Sequence, residues 1–472
     1  MSRMMAAGFF TALLVMSAVM GCYSSITAPK VDGFAGLALA PPVGFTPEPL
    51  PPLPDIAGEI QSRPDISILI YIGEIYAGCG GSVRLNITNN DYRAMFLEEA
   101  AFSWAGSTDI FSAAVNAEIA PSESLVIPAL AFGGPSAAGT RGYQLGIRML
   151  QMRNGNWSRV LGQSDDWLMF SENNLEVLEL PDGDLNKISL NPRMYYTRVN
   201  DIVDFETGPV ANATDNATAG MGGGFTVGKA CAIFDWLDTN LNYTEDPGSG
   251  DVWYSPDQTL SAGGGDCEDY ALLMAAMTDH AGGYSRIYLT ADHAFAAVYA
   301  GNTTDDLDSA IADVRAYYRT ELNVYSFSDE KGYWVIADPL GSFHLGGSAV
   351  GLAPTEEWNG TWNFTFEESD TLFAVDVMGT DISRGIWLDV NFWMGMMLVF
   401  GFLAFGLILS AHSAKPATKV LCFICAREIK EDLYQCPHCW TTYHRACAFS
   451  KAYCMTCGKA ISYPPPPGNL IK

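Results

Sequence analysis

Gly263-Gly264-Gly265-Asp266-Cys267-Glu268-Asp269-Tyr270-Ala271-Leu272-Leu273-Met274 is the stretch on which the reading of this chain turns. Three glycines permit a sharp backbone turn and leave room for a substrate to approach closely. Asp266 is placed to cap a helix, with Asp269 three residues on in a capping-box-like position. Tyr270, Leu273, Met274 and Met277 then recur at helical spacing until Gly282-Gly283 stops the run. Cys267 therefore stands at the helix N-terminus, where free amides and the dipole favour a thiolate. Glu268 and Asp269 would oppose ionisation if they lay close to the sulfur; on a helix they are expected to point away from it.

Downstream, Ile287 to Tyr299 reads as a strand with His293, Phe295, Ala297 and Tyr299 on one face. A second strand, Gly332 to Asp338, ends before Pro339, which holds Asp338 extended with its carboxylate free to reach outward. A thiol nucleophile needs a base beside it and an acceptor that fixes the tautomer of that base. Cys267, His293 and Asp338 supply these in that order. Taken singly, each has a plainer reading, since most core cysteines are inert and most core histidines structural. The three together favour catalysis.

Three motifs in order carry a family resemblance: Gly-Asp-Cys-Glu-Asp-Tyr-Ala, His293-Ala294-Phe295, and Trp334-Val335-Ile336-Ala337-Asp338-Pro339. The segment from Pro192 to Phe343 resembles the transglutaminase-like branch of the papain-type thiol enzymes, and Trp253 to Leu260 is similar to that family's lead-in. The resemblance implies an α+β fold over 185–385, with the nucleophile helix packed on an antiparallel sheet. It implies acyl transfer from an amide through a thioester resolved by water, as in a protease or amidase, or by an amine, as in a cross-linker. No cofactor is implied for this domain. Gln258 and Tyr254 are oxyanion candidates by position, and the Cys267 amide is the other candidate donor.

The flanks place this domain in a longer arrangement. Residues 65–180 hold short alternating runs, among them Ile66 to Tyr71, Val83 to Thr88, Leu125 to Ile127 and Tyr143 to Arg148. Turn sequences such as Asn89-Asn90-Asp91, Gly133-Gly134-Pro135 and Asn154-Gly155-Asn156 punctuate them, which suggests an immunoglobulin-like β-sandwich. Pro192 to Phe205 and Val227 to Asn240 read as helices, Thr207 to Gly224 as a surface loop, and Asp305 to Leu322 as a helical insertion between the catalytic strands. Cys79 and Cys231 could pair in an oxidising exterior.

Of the formal charge of −27, residues before His412 carry about −32, because from there on eight Lys/Arg meet three Asp/Glu. So acidic a body argues against nucleic acid and suits a solvated exterior, although a saline habitat would select the same composition. Residues 1–22 read as a secretory signal: Arg3, then the apolar run Phe9 to Met20. Val19-Met20-Gly21-Cys22 resembles a lipobox, which makes Cys22 a lipidation candidate; an uncleaved anchor helix is the alternative. Residues 23–64 are a linker, proline-rich from Ala40 to Pro54 and expected to be stiff and extended. Asn-x-Ser/Thr sequons begin at Asn86, Asn156, Asn212, Asn216, Asn242, Asn302, Asn359 and Asn363 and nowhere beyond, which fits a glycosylated exterior. Phe392 to Ala411 is free of charge and long enough to span a bilayer, so 390–411 is expected to be a transmembrane helix. Trp387 and Trp393 mark one rim, and Lys415, Lys419, Arg427 and Lys430 put the other end in the cytoplasm.

Residues 420–460 contain four ligand pairs, Cys422/Cys425, Cys436/Cys439, His444/Cys447 and Cys454/Cys457, a set suited to two tetrahedral zinc ions. So short a segment needs metal to fold, and on the cytoplasmic side zinc is expected rather than disulfides. The run resembles a RING or PHD-type finger. That resemblance implies interleaved sites, with Cys422, Cys425, His444 and Cys447 on one ion and Cys436, Cys439, Cys454 and Cys457 on the other; the short gap before Cys454 leaves two sequential ribbons open. His438, inside a Cys-x-x-Cys knuckle, is a poor ligand. Residues 461–472 form a proline-rich tail. The expected whole is a single-pass membrane protein (two-pass if the signal stays), its thiol enzyme outside acting on peptides or proteins and its zinc module inside docking a protein partner. The alternative is a non-catalytic peptide-binding receptor that signals through the finger. The overall similarity points to a prokaryotic, archaeal source.

Overall fold

The computed structural model describes residues 31, 33–34, 37–162, 167–170, 173–181, 187–246, 251–366, 371–378, 420–430 and 432–461. The signal segment with Cys22, the apolar run 392–411 and the proline-rich tail lie outside these residues. Among the described residues no helix is long and apolar enough to cross a membrane. Two compact units divide the described chain: residues up to 242 together with 255–378, and residues 243–254 together with 420–461.

The larger unit begins with two β-sheets. Strands β1 (Ile56–Ile60), β4 (Met95–Trp104), β5 (Phe111–Ile119), β7 (Gly139–Arg153) and β8 (Asn156–Val160) form one in the order β1-β8-β7-β4-β5, with β9 (Leu168–Met169) and β10 (Asn173–Val177) also on β7. The other is β2 (Ile66–Ile72), β3 (Gly81–Asn89) and β6 (Ser124–Phe132) in the order β2-β3-β6. Alternation puts Val83, Leu85 and Ile87 of β3 into one shared core with Leu97 and Phe102 of β4 and Leu145, Ile147 and Met149 of β7. The expected turn at Asn154-Gly155 joins β7 to β8 in two residues, both with positive φ (53° and 81°), the mirror-image turn that suits strand twist.

The second half of this unit carries a six-stranded sheet. Its strands are β11 (Lys187–Leu190), β14 (Ser285–Leu289), β15 (Ala294–Gly301), β16 (Ser326–Asp329), β17 (Gly332–Ala337) and β20 (Thr371–Asp376), in the order β11-β20-β14-β15-β17-β16. Two-residue strands β12 (Asn242–Tyr243) and β13 (Gly264–Gly265) and a separate hairpin, β18 (Leu352–Trp358) and β19 (Thr361–Phe366), complete the strands of this half. The helices are α1 (Arg193–Ile202), α2 (Gly208–Ala217), α3 (Val227–Asn240), α4 (Pro256–Ala262), α5 (Cys267–His280) and α6 (Thr304–Tyr318). Helix α5 is the pivot: every residue from Glu268 to Thr278 is buried, and it packs against α2, α3, α4, β14 and β15. At the heart of the sheet the buried Arg286 guanidinium bonds Asp376 at 2.5 Å, pairs with Asp329, and lies 3.9 Å from the Trp334 ring centroid.

Several expectations change here. The Thr207–Gly224 stretch is not a loop: Thr207 caps α2, whose Val210, Ala213 and Thr214 are buried. Ile287 to Tyr299 is a hairpin, β14 turning at Thr290–His293 into β15, rather than one strand. Cys79 and Cys231 are buried free thiols. The described part of the linker before Pro54 is extended but not a free spacer; it is a strap bound to the larger unit. Phe34 is buried against Trp334 and Tyr284, with its amide on Asp376 Oδ2 at 3.1 Å. Val43 N donates to Phe225 O at 2.9 Å and Phe45 N to Asp313 Oδ2 at 3.1 Å. The Phe45 ring fills the space that a Cβ on Gly228 would occupy. Arg319 then holds Glu48 O at 2.6 Å and Asn116 holds Pro51 O at 3.0 Å.

The two-sheet region and the half with the six-stranded sheet also meet through buried polar groups. His344 is sealed, with Ser82 Oγ 3.0 Å from Nδ1 and Asn323 O 3.1 Å from Nε2. Nearby, Asp235 accepts the hydroxyls of Tyr318 (2.8 Å) and Tyr317 (3.2 Å), and Arg84 of β3 pairs with Asp238 of α3. Burial pushes the Asp235 carboxyl up to about 7 and the His344 imidazole down to about 4.

Candidate active site and metal centres

The glycines before the nucleophile make close approaches within the protein rather than space for a substrate. Gly263 ends α4 in the left-handed region (φ 71°). A Cβ on Gly264 would collide with the Asn242 backbone, and one on Gly265 with the Asp269 side chain. Cys267 thus opens α5 at a forced position. Asp266 is the N-cap residue by conformation but makes no side-chain cap bond, so the expected capping box is absent.

The Cys267 thiol is half-buried and lies beside the backbone amide of Ala294, the first residue of β15. This puts the sulfur at the turn that presents His293. The turn is pinned by Thr290, whose N donates to His293 O at 2.9 Å and whose Oγ1 accepts His293 N at 2.9 Å. His293 Nε2 then lies 2.7 Å from Asp338 Oδ2. Asp338, 2% exposed at the end of β17, also accepts Val350 N on Oδ2 (3.0 Å) and Leu340 N on Oδ1 (3.1 Å). Carrying its proton on Nε2 toward the carboxylate, the neutral imidazole has Nδ1 as its basic nitrogen. Burial alone would lower the His293 pKa; the charge and hydrogen bond of Asp338 outweigh it and raise it.

The thiol differs from expectation. Sγ donates to Glu268 Oε2 at 3.3 Å, and Glu268 is buried, not turned away on the helix surface. Burial foremost, then the Glu268 carboxylate, push the Cys267 thiol far above its ordinary pKa, against the lowering effect of the Ala294 amide. Both act against the thiolate that a helix N-terminus favours. Sequence reading missed the Glu268 contact because a neighbour at i+1 meets Cys267 only through its rotamer, which spacing does not encode.

Gln258 is exposed and accepts Ser255 N on its side-chain oxygen at 2.8 Å, closing a capping box at the start of α4; the structure uses it as a cap. Tyr254 is half-buried and belongs to the smaller unit.

In that unit, residues 420–461 form a small module with β21 (Leu433–Gln435), β22 (Thr442–His444) and α7 (Arg445–Phe449) around buried Tyr443. The ligand atoms of Cys422, Cys425, His444 and Cys447 lie within 4.8 Å of one another, as do those of Cys436, Cys439, Cys454 and Cys457. The sites interleave; the sequential arrangement is not the one adopted. The donor sets fit zinc, since each brings four soft or imidazole ligands to one point. Ala426, Trp440 and Gly458, each following a Cys-x-x-Cys pair, share positive φ (54°, 64° and 65°) and donate back to the first cysteine's carbonyl. His444 turns Nδ1 toward Cys425 and sets Nε2 3.2 Å from Glu428 O, an outer contact that fixes a ligand's tautomer. His438 is exposed and outside both sets.

Residues 212–339 match the model of the Transglutaminase-like superfamily, so this part of the chain is a transglutaminase-like domain behind a β-rich N-terminal region. No curated protein matches the chain. Among solved structures, the chain is similar to a protein from Archaeoglobus fulgidus (6% identity, TM-score 0.17, covering 24% of this chain and 96% of that one). It is also similar to the ASH/PapD-like domain of human CEP192 (10% identity, TM-score 0.15, covering 29% and 100%). A third is native alpha-2-macroglobulin from Escherichia coli (10% identity, TM-score 0.18, covering 59% and 36%).

Proposed function

We propose that the larger unit is a thiol acyl-transfer enzyme in which Cys267 attacks an amide or ester carbonyl and His293 Nδ1 takes and returns the proton. Asp338 holds the imidazole in the tautomer this requires and stabilises its cation. The carrying observation is the sealed His293–Asp338 pair at 2.7 Å, with the Cys267 sulfur at the adjoining Ala294 amide. The thioester is resolved by water or by an amine, and the substrates in this reading are peptides or proteins. The 420–461 module would hold two zinc ions for folding, and it would dock a protein partner. Its place on the inner side of a membrane, with the enzyme outside and glycosylated, rests on the charge-free run 392–411 and the sequons, of which Asn156, Asn212, Asn216, Asn242, Asn302 and Asn359 are exposed.

A thiol-directed electrophile, read at each cysteine by mass, tests the assignment. His-dependent labelling of Cys267, reduced in His293→Ala, supports it; labelling indifferent to His293 would refute it. One observation favours a second reading, that of a peptide-binding domain without turnover: burial, and then the Glu268 carboxylate 3.3 Å from Sγ, work against the thiolate. A Cys267→Ala protein that keeps peptide binding while losing all thioester formation separates the enzyme from that alternative.

A further inference from the structure

Glu268 is the residue that the assigned roles leave over. It follows the nucleophile directly, is 6% exposed, and its Oε2 lies 3.3 Å from Sγ. We propose that Glu268 is a latch on the nucleophile: its carboxylate retains the Cys267 proton in the free protein and is drawn off the sulfur only by a hydrogen-bond donor on the substrate. The latch rests on reading Cys267 as the nucleophile.

The argument is one of competing acceptors. The thiol has a single proton to give, and the acceptor the structure sets beside Sγ is Glu268 Oε2, at 3.3 Å. While the carboxylate stays, ionising the sulfur would set two negative charges side by side in a partly dry site, an arrangement strongly opposed. The charged groups around the sulfur reinforce this. Asp266 on the same helix adds negative charge; across from it stands the β14–β15 turn with His293, flanked by Asp292 and backed by Asp338. A buried carboxylate does not leave its donor without a replacement. An N–H group beside the scissile carbonyl is such a replacement, whether the amide of a peptide or an ammonium.

The step balances. A substrate N–H bonds Oε2, and the S–H turns to Nδ1 of His293. The proton passes to Nδ1 as the sulfur pair forms the S–C bond and the carbonyl π pair moves onto oxygen. Collapse of that adduct breaks the C–N bond, and the leaving amine takes the proton from Nδ1, giving a thioester and a neutral imidazole. The latch therefore selects acyl donors that carry N–H groups next to the reacting carbonyl and protects the thiol from electrophiles that have none.

The test uses the full zinc-loaded chain and N-ethylmaleimide, which has no N–H, with labelling of Cys267 followed by peptide mass across pH. Glu268→Gln keeps the shape and removes the charge. It should speed Cys267 labelling about tenfold or more near neutral pH and move the profile about one unit or more to lower pH, one unit being tenfold in thiolate. The gain should disappear in the double variant with His293→Ala. Glu268→Asp, which withdraws the carboxylate by one methylene, should gain less in the same direction and serves if the Gln form does not fold. Labelling within about twofold of wild type in both Glu268 variants, while His293→Ala still slows wild type, would overturn the latch and leave the enzyme reading standing, since such a change is under a third of a pKa unit. Indifference to His293→Ala in both backgrounds would overturn the two together.

Discussion

Asp338 satisfies three donors with two oxygens, and that crowding makes it hard to replace. In Asp338→Asn one acceptor becomes a donor, facing either the imidazole N–H together with the Val350 amide or the Leu340 amide. The expected result is loss of the His-dependent component of Cys267 labelling, about tenfold or more, from an imidazole with the wrong tautomer. Labelling kinetics alongside a melting curve separate this from unfolding. Much of the constellation was legible at this scale. The order Cys267, His293, Asp338 anticipated that His293 meets Asp338 and that Cys267 lies at the adjoining turn, and Pro339 explained why Asp338 stands at a strand end. The state of the thiol was not legible, because helix-terminus reasoning sees the dipole but not the rotamer of Glu268.

Among the elements, the strap contributes most beyond expectation. Phe34 is 2% exposed and stacks on Trp334 with ring centroids 5.9 Å apart. Phe34→Ala should cost about 3–5 kcal/mol of stability in the larger unit, the usual loss for a buried phenylalanine, read as a lower urea midpoint at unchanged slope. The composition of the strap could not reveal this docking: prolines announce an extended chain, and only the groove formed by Gly228 and Phe225 tells where it lies. Strands with clean alternation were readable; β4 was not. Its Glu98-Glu99-Ala100-Ala101 stretch suits a helix by propensity, and pairing with β5 on one side and β7 on the other overrides it.

For the whole molecule, two expectations are measurable. Chelation should release two zinc ions per chain and unfold residues 420–461, seen as loss of protease protection in that segment; release of fewer ions would reject the paired-site reading. His344 joins the two-sheet region to the half with the six-stranded sheet as a neutral group. Its pKa is depressed to about 4 from an ordinary value near 6.5, so the unfolded chain binds the extra proton first. The stability it contributes is present above about pH 6.5 and is lost as pH falls toward 4, by about 3 kcal/mol. Asp235, raised to about 7, works the opposite way over the same range. The quantity to measure is therefore the stability difference between wild type and His344→Gln, which should shrink by that amount on acidification. The strap also dictates an order of events. The Phe34 amide finds its acceptor on Asp376, 342 residues later, and β11 completes the sheet only against β20. A nascent chain cannot close either contact until residue 376 has emerged, so contact order alone makes the last folding step late and slow, and Phe34, among the earliest residues to leave the ribosome, is among the last to find its place.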